Sequence, residues 1–488
     1  MKTPPGIESA IKQHKANYII FSDVHLGSDL VQHARPWTVG RLRRMLQIDR
    51  DLATMLDYYC RHADRERPWC LVIAGDLVDF VGMAIAPKPD AALQTPLTEE
   101  EKTHGLGSSR DHAEAKMRVV AQRHALVFCK LAQFVAQGHS LILIRGNHDV
   151  EFHWRKARRA FVQALMERAE GLSDRPAARH DYERRIEFHP WFYYVKGLLY
   201  VEHGHQYDEA CSYHHVLNPV SPKDPHRISW SLSDILLRYV ARPFPGVGAE
   251  GHDNNSILDY VRLATSMGGR RCLRLGSRFS AAIVHTFKEW QAHRHPHKAR
   301  VRAKHERKLR RLARRLGLPE ERMLALSALA APPITGRFLG IVRSLFLDGV
   351  IAFGIVVGGL GIVGFLGLAP WPYLPALSTA LAVGLYVWMQ QVRVADAAAG
   401  LREGAQRIAE LMPARYIVMG HTHSPAVETL ADGVTYVNVG SWGVDELDGG
   451  ERAAPRTHLV IRHVDGKPHA QFYAWDPATG PLPVNLSR

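Results

Sequence analysis

Short apolar runs punctuate the first third of the chain. Asn17–Ser22 (NYIIFS), Cys70–Ala74 (CLVIA) and Ser140–Ile144 (SLILI) are continuous in hydrophobic residues and end in polar turns. That is the pattern of strands buried on both faces. Between them, residues 41–63 and 111–136 repeat apolar positions at helical spacing. Strands alternating with helices predict an α/β layered core. Residues 185–202 predict aromatic-rich strands ending in LLYVEH, and the pattern then turns helical over residues 228–330. Strand signals return at Tyr416–Met419, 433–439 and 457–463.

Two features interrupt this plan. Residues 349–369 are 21 uncharged, largely apolar residues. At about 1.5 Å rise each they would span about 31 Å, enough for a hydrocarbon layer of about 30 Å. A turn with Pro370, Pro372 and Pro375 follows, then a second apolar stretch at 376–389. Trp371 and Tyr373 in the turn, and Tyr386 and Trp388 at the far end, stand where interfacial aromatic residues are expected. The pattern predicts a transmembrane helical hairpin. Arg337, Arg343, Arg393 and Arg402 flank its open ends and no basic residue lies in its turn. The positive-inside rule then puts both ends in the cytoplasm. A hairpin buried in a soluble core, or one lying in the membrane interface, are the alternatives.

The second interruption is residues 298–315, with ten Lys/Arg and one Glu. This net +9 accounts for most of the +14 carried by all 488 residues. A pI near 9.6 asks for an anionic partner. Apart from His305 the tract has no aromatic residue, which disfavours a nucleic-acid groove. Its neighbour is the bilayer-length segment, which favours anionic headgroups. A solvated helical face remains open, with Leu309, Leu312 and Leu316 as its apolar stripe. Hydrophobic residues at 46% and charged residues at 23% exclude a disordered chain. Five scattered cysteines without a Cys-x-x-Cys argue against a disulfide framework or a zinc ribbon, and fit a reducing compartment. The polar N-terminus shows no secretory signal.

The candidate chemistry lies at strand ends. Asp23-Val-His25, Gly75-Asp76-Leu-Val-Asp79, Gly146-Asn147-His148-Asp149, His203-Gly204-His205 and Gly420-His421-Thr-His423 each follow an apolar strand. Ligands of open α/β sheets gather beyond the carboxyl ends of strands, so these motifs can converge. Carboxylates and imidazoles suit manganese, iron or zinc, and a carboxylate can bridge two ions. The glycines before Asp76, Asn147 and His421 would let the backbone turn sharply.

This set of motifs, in this order, resembles the calcineurin-like metallophosphoesterases over residues 17–215 and 410–475. The resemblance implies a four-layer β-sandwich flanked by helices, with a pair of divalent metal ions (manganese favoured, iron or zinc as alternatives) at one edge. It assigns Asp23, His25, Asp76 and His423 to one ion, and Asp76, Asn147, His203 and His421 to the other. It makes His148 the acid that protonates the leaving oxygen, with Asp79 orienting it. His205 is a candidate site-lining residue, and Asp208 a candidate brace for the loop behind His203. His214 and His215 are weaker candidates for reaching substrate. His104–Ser109 reads as a surface loop, with a lid as the alternative.

The expected organisation is a metallophosphoesterase domain in two parts, residues 15–240 and 393–480. A helical basic insert (241–340) and a membrane hairpin (341–392) separate them. The expected function is hydrolysis of a phosphate ester or pyrophosphate at the cytoplasmic membrane face, with a lipid-linked substrate favoured. The motif order is also similar to bacterial relatives of UDP-2,3-diacylglucosamine pyrophosphatase, but His148 stands where that enzyme typically has Arg. A nuclease or nucleotide phosphodiesterase, and a non-catalytic membrane scaffold, are the alternatives.

Overall fold

The computed structural model describes residues 16–31, 39–64, 66–87, 93–169, 176–242, 269–345, 379–380, 383–384, 396–443 and 455–485. The three apolar runs form β1 (Asn17–Phe21), β2 (Trp69–Ala74) and β3 (Ser140–Ile144), paired in parallel. Nearly every residue in them is buried, because helices cover one face and a second sheet covers the other. Next come β4 (Ile186–His189), β5 (Phe192–Val195) and β6 (Leu199–Glu202), then β7 (Tyr416–Met419), β8 (Ala426–Thr429) and β9 (Thr435–Asn438). The chain closes with β10 (Thr457–Val464), β11 (Lys467–Asp476) and β12 (Gly480–Pro483). One sheet runs β12-β11-β10-β1-β2-β3-β4 and the other β5-β6-β7-β9-β8.

The alternation of side chains along the strands builds the layers. Tyr18, Ile20, Val72, Ala74 and Ile142 point one way and meet Val195, Leu199, Val201, Val418 and Val437 of the other sheet. Their neighbours Ile19, Phe21, Leu71, Ile73 and Leu143 face a helical layer that includes Met45, Leu52, Met117, Phe128 and Phe161. On the far side, Tyr200, Ile417 and Met419 meet Leu309, Met323, Leu401 and Ile408. The order helix, sheet, sheet, helix is the four-layer sandwich expected. Both sheets combine strands from before residue 203 with strands from after residue 415.

Several expectations need correction. The helix expected over 111–136 is two, Arg110–Arg123 and Ala125–Ala136. His124 leaves helical backbone between them (φ −103°, ψ 40°). Its buried ring lies 2.8 Å from Asp49 through Nδ1 and accepts the Gly27 amide at 2.9 Å through Nε2. The break thus fastens the loop that follows β1. Gly105–Ser109 is neither a surface loop nor a lid: it is buried, with Ser109 capping the Arg110–Arg123 helix. Strands β8, β11 and β12 were not expected.

The basic tract forms the helix Lys298–Leu316. Val301, His305, Leu309 and Ala313 are its buried stripe, and Leu312 and Leu316 of the predicted stripe pack half-buried beside Leu309 in the same cluster. Residues 349–369 lie outside the described residues, as does most of 376–389. Among the described residues, no helix is long and apolar enough to cross a membrane.

Candidate metal centre

The strand ends β1, β2 and β3 of one sheet and β6 and β7 of the other bring the five motifs together. Asp23, Asp76 and His203 form one buried group whose ligand atoms lie within 4.8 Å of one another. His203 Nε2 is 3.2 Å from Asp76 Oδ2, 3.0 Å from Asn147 Oδ1 and 4.0 Å from Asp23 Oδ1. Its Nδ1 is 2.9 Å from the Ala74 carbonyl, which fixes the ring. Asp23, His25 and His423 form a second group sharing Asp23. There, His423 Nε2 is 3.2 Å from Asp23 Oδ1 and 3.3 Å from His25 Nε2.

The backbone at these positions is unusual. Asp23, His25, Asp76, His421 and His423 all have φ between 53° and 71°. Among the described residues, Asp465 is the one other non-glycine residue with positive φ. Left-handed backbone is disfavoured for residues with a Cβ and persists where the surroundings impose it, commonly at functional sites. Here each turn sends an Asp or His side chain from its strand end toward one centre. Of the preceding glycines, only Gly75 shares the positive φ, at 93°. A Cβ there would also overlap the His203 ring. Gly146 and Gly420 serve a different purpose from the sharp turn expected. A Cβ on Gly146 would strike the Asp76 carboxylate, and one on Gly420 would strike Ser22 and Asp23.

Burial opposes charge on the two central carboxylates. The neighbouring imidazoles more than offset it and hold both well below the usual carboxylate range: His203 and His423 for Asp23, His203 and His148 for Asp76. In return, Asp76 and Asp23 raise His203 to about 9 against the effect of its own burial. Crowded carboxylates and imidazoles fit divalent cations.

His148 stands beside this cluster. Its ring centroid is 4.5 Å from that of His25, and its Nδ1 is 2.9 Å from Asp79 Oδ1. The same Asp79 oxygen accepts the Gly82 amide, and its other oxygen accepts Arg242. Burial works against the Asp79 charge, but Arg242 and His148 hold its carboxyl far below the usual range.

The calcineurin-like phosphoesterase family model matches residues 16–256. The chain belongs to this family. Its members are metal-dependent hydrolases of phosphoric esters. No curated protein matches the chain.

Other predicted positions of the phosphoesterase are more varied. His421 lies near His203, with ring centroids 5.3 Å apart, while its Nε2 is 3.0 Å from Asp208 Oδ2. Asp208 therefore braces His421 through one oxygen, while the other accepts the Ala210 amide in the loop behind His203. His205 is buried 5.4 Å from the His203 ring, and burial and His203 together keep it well below the ordinary histidine value. The His214 ring lies against that of His293, and His215 stacks on His305.

Three supporting residues were not anticipated in these roles. Arg242 fixes Asp79. Asp149 accepts the amides of Gly146 and Leu77, tying the loop after β3 to the loop after β2. Tyr213 joins the Asn147 carbonyl to Asp234. Their partners are distant in sequence, apart from the local Asp149–Gly146 bond, and Asp149 at the end of Gly-Asn-His-Asp was the one visible signal.

Proposed function

We propose that the phosphoesterase holds one divalent ion on Asp23, His25, Asp76 and His423, and a second on Asp76, Asn147, His203 and His421. The reading rests on one observation above all: five of these seven residues adopt left-handed backbone and still converge. For His421, Nε2 is taken by Asp208, leaving Nδ1 as the ligand atom. An outward hydrogen bond of this kind orients a metal-binding histidine. Such an ion pair supplies an activated water and neutralises charge developing on phosphoryl oxygens.

The protein's own groups do the rest. Asp79 accepts a hydrogen bond from the His148 Nδ1–H, and its charge favours the doubly protonated ring, whose Nε2–H is the proton to be given. His148 then delivers a proton to the leaving oxygen, a contribution of about 10²–10⁴-fold for a well-placed acid. Arg242 keeps Asp79 charged, so Asp79 does not take the proton itself.

The favoured substrate is a lipid-linked phosphate ester or pyrophosphate met at the cytoplasmic membrane face. The support is sequence-borne: the bilayer-length segment 349–369 and the basic tract 298–315. The catalytic reading is tested by hydrolysis of an aryl phosphate and an aryl phosphodiester with added Mn²⁺. Asp76→Asn and His148→Ala should each lose most activity, and unchanged turnover in both would refute it. The membrane reading is tested by fractionation: the protein should sediment with membranes and need detergent for release. Clean recovery in the soluble fraction would sink it.

A further inference from the structure

A cavity of about 310 Å³ lies between the loop after β3, the end of β4 and the basic helix Lys298–Leu316. This is at the small end of the range for small-molecule sites, about 300–1,000 Å³. None of the residues proposed to hold metal lines it. Its polar wall is cationic: Arg145, Arg158, Lys308, Arg311 and Arg315, with His153. Its apolar lining includes Phe152, Phe188 and Leu217.

Arg145 is the decisive residue. It is 4% exposed, and its Nη2 donates to the Val216 carbonyl. Its Nε and Nη1 are buried and, among the described residues, have no hydrogen-bond partner. Leaving donors of a buried charge unsatisfied is costly, so a native structure that does so calls for a ligand.

The charges around Arg145 are also uncompensated. Among the described residues, Arg158, Lys308 and Arg311 form no ion pair, and Arg315 reaches Glu187 only at 3.9 Å. Glu187 is itself engaged by His189 at 3.0 Å. Asp149, the other carboxylate felt by Arg145, has its oxygens on the Gly146 and Leu77 amides. Burial and the surrounding cations, Arg145 first among them, push the Lys308 ammonium down to about 7.

We infer that this cavity is a second anion site, distinct from the metal centre, that takes a phosphate group carried on a small organic body. Guanidinium forks match phosphate oxygens in geometry as well as charge. The apolar wall suits the carbon skeleton that carries the phosphate. Arg145 directly precedes Gly146, Asn147 and His148, so the occupant steadies the loop bearing the proposed acid. The inference does not depend on the metal assignments.

The test is equilibrium dialysis of radiolabelled inorganic phosphate against the Mn²⁺-loaded full chain. Wild type should show two classes of site. The Arg158→Met/Lys308→Met variant should bind at least tenfold more weakly at the class that persists in Asp76→Asn. Arg311→Glu, on the exposed rim, should weaken that class severalfold without disturbing the fold, and covers the case in which the double variant misfolds. Phosphate binding unchanged in both cavity variants, or no site surviving in Asp76→Asn, overturns the inference.

Vesicles of phosphatidylcholine with and without phosphatidic acid separate the sources of the phosphate. Sedimentation with phosphatidic acid that free phosphate competes away, and that the cavity variants lose, identifies a lipid headgroup. Phosphate binding without vesicle binding identifies a soluble compound. Vesicle binding unchanged in the cavity variants belongs to the outer face of the basic helix and excludes the headgroup.

Discussion

Asp79 stands between His148 and Arg242, receiving the imidazole on one oxygen and the guanidinium on the other. The carboxylate is fully buried, so neither partner is exchanged for water. Removing its charge should leave the metal ligands in place while freeing the His148 ring to rotate or change tautomer. Asp79→Asn is expected to lower kcat by about 10–100-fold, part of the about 10²–10⁴-fold that a well-placed acid contributes, with KM little changed. Steady-state kinetics on an aryl phosphodiester, with metal content measured in parallel, checks this. A loss of metal would mean that Asp79 supports the ligands instead.

Gly75 combines a φ of 93° with the His203 imidazole beside its Cα. An alanine there meets both penalties. Gly75→Ala should destabilise the fold by about 1–3 kcal/mol and displace His203. Thermal unfolding with and without Mn²⁺ reads both effects: a lower Tm, and a smaller upward shift on adding metal.

Asp149 acts as a clasp between two loops through the Gly146 and Leu77 amides. Burial and the nearby Asp76 raise its carboxyl to about 7. Asp149→Ala leaves two buried amides without an acceptor, at about 1–3 kcal/mol each. Activity should fall more than stability, because the loops that separate carry Asp76, Asn147 and His148. Denaturant titration beside kcat/KM distinguishes this from simple unfolding.

Buried histidines set an acid limit. His458 is fully buried, 2.7 Å from the Tyr59 hydroxyl, and desolvation lowers it to about 3. Desolvation and the nearby Arg185 likewise lower His139 to about 4. The unfolded chain takes up these protons near pH 6.5, whereas the folded chain resists until the lower values. Their stabilisation is therefore complete above about pH 6.5 and declines as the pH falls, by at most about 1.4 kcal/mol per pH unit for each histidine. His458→Phe should flatten the slope of stability between pH 6 and about 4. An unchanged slope would assign the acid limit to other groups.

The parallel strands and the motif order could be read from the sequence because both are local. A run such as CLVIA is apolar throughout when both faces are covered, and Asp76 follows it directly. Other features depended on partners that sequence spacing does not reveal. Apolar spacing continues on both sides of His124, so its break is visible only once Asp49 and Gly27 are beside it. Strand β12 contains two prolines, which argue against a strand except at a sheet edge, where it lies. Strand β11 is half-buried along much of its length and has only two buried residues, so its apolar alternation is weak. Arg242 lies 163 residues from Asp79, and no local pattern joins them.

The division of the proposed ligands along the chain has a biosynthetic consequence. Asp23 to His203 are translated first, but β7, which positions His421 and His423, follows more than 200 residues later. A nascent chain arrested before residue 416 therefore carries a partial ligand set and lacks the strand that links β6 to β9. On the proposed assignment, the full ligand set exists only once β7 and the two histidines after it have been made. The long intervening segment is therefore made before the proposed site is complete.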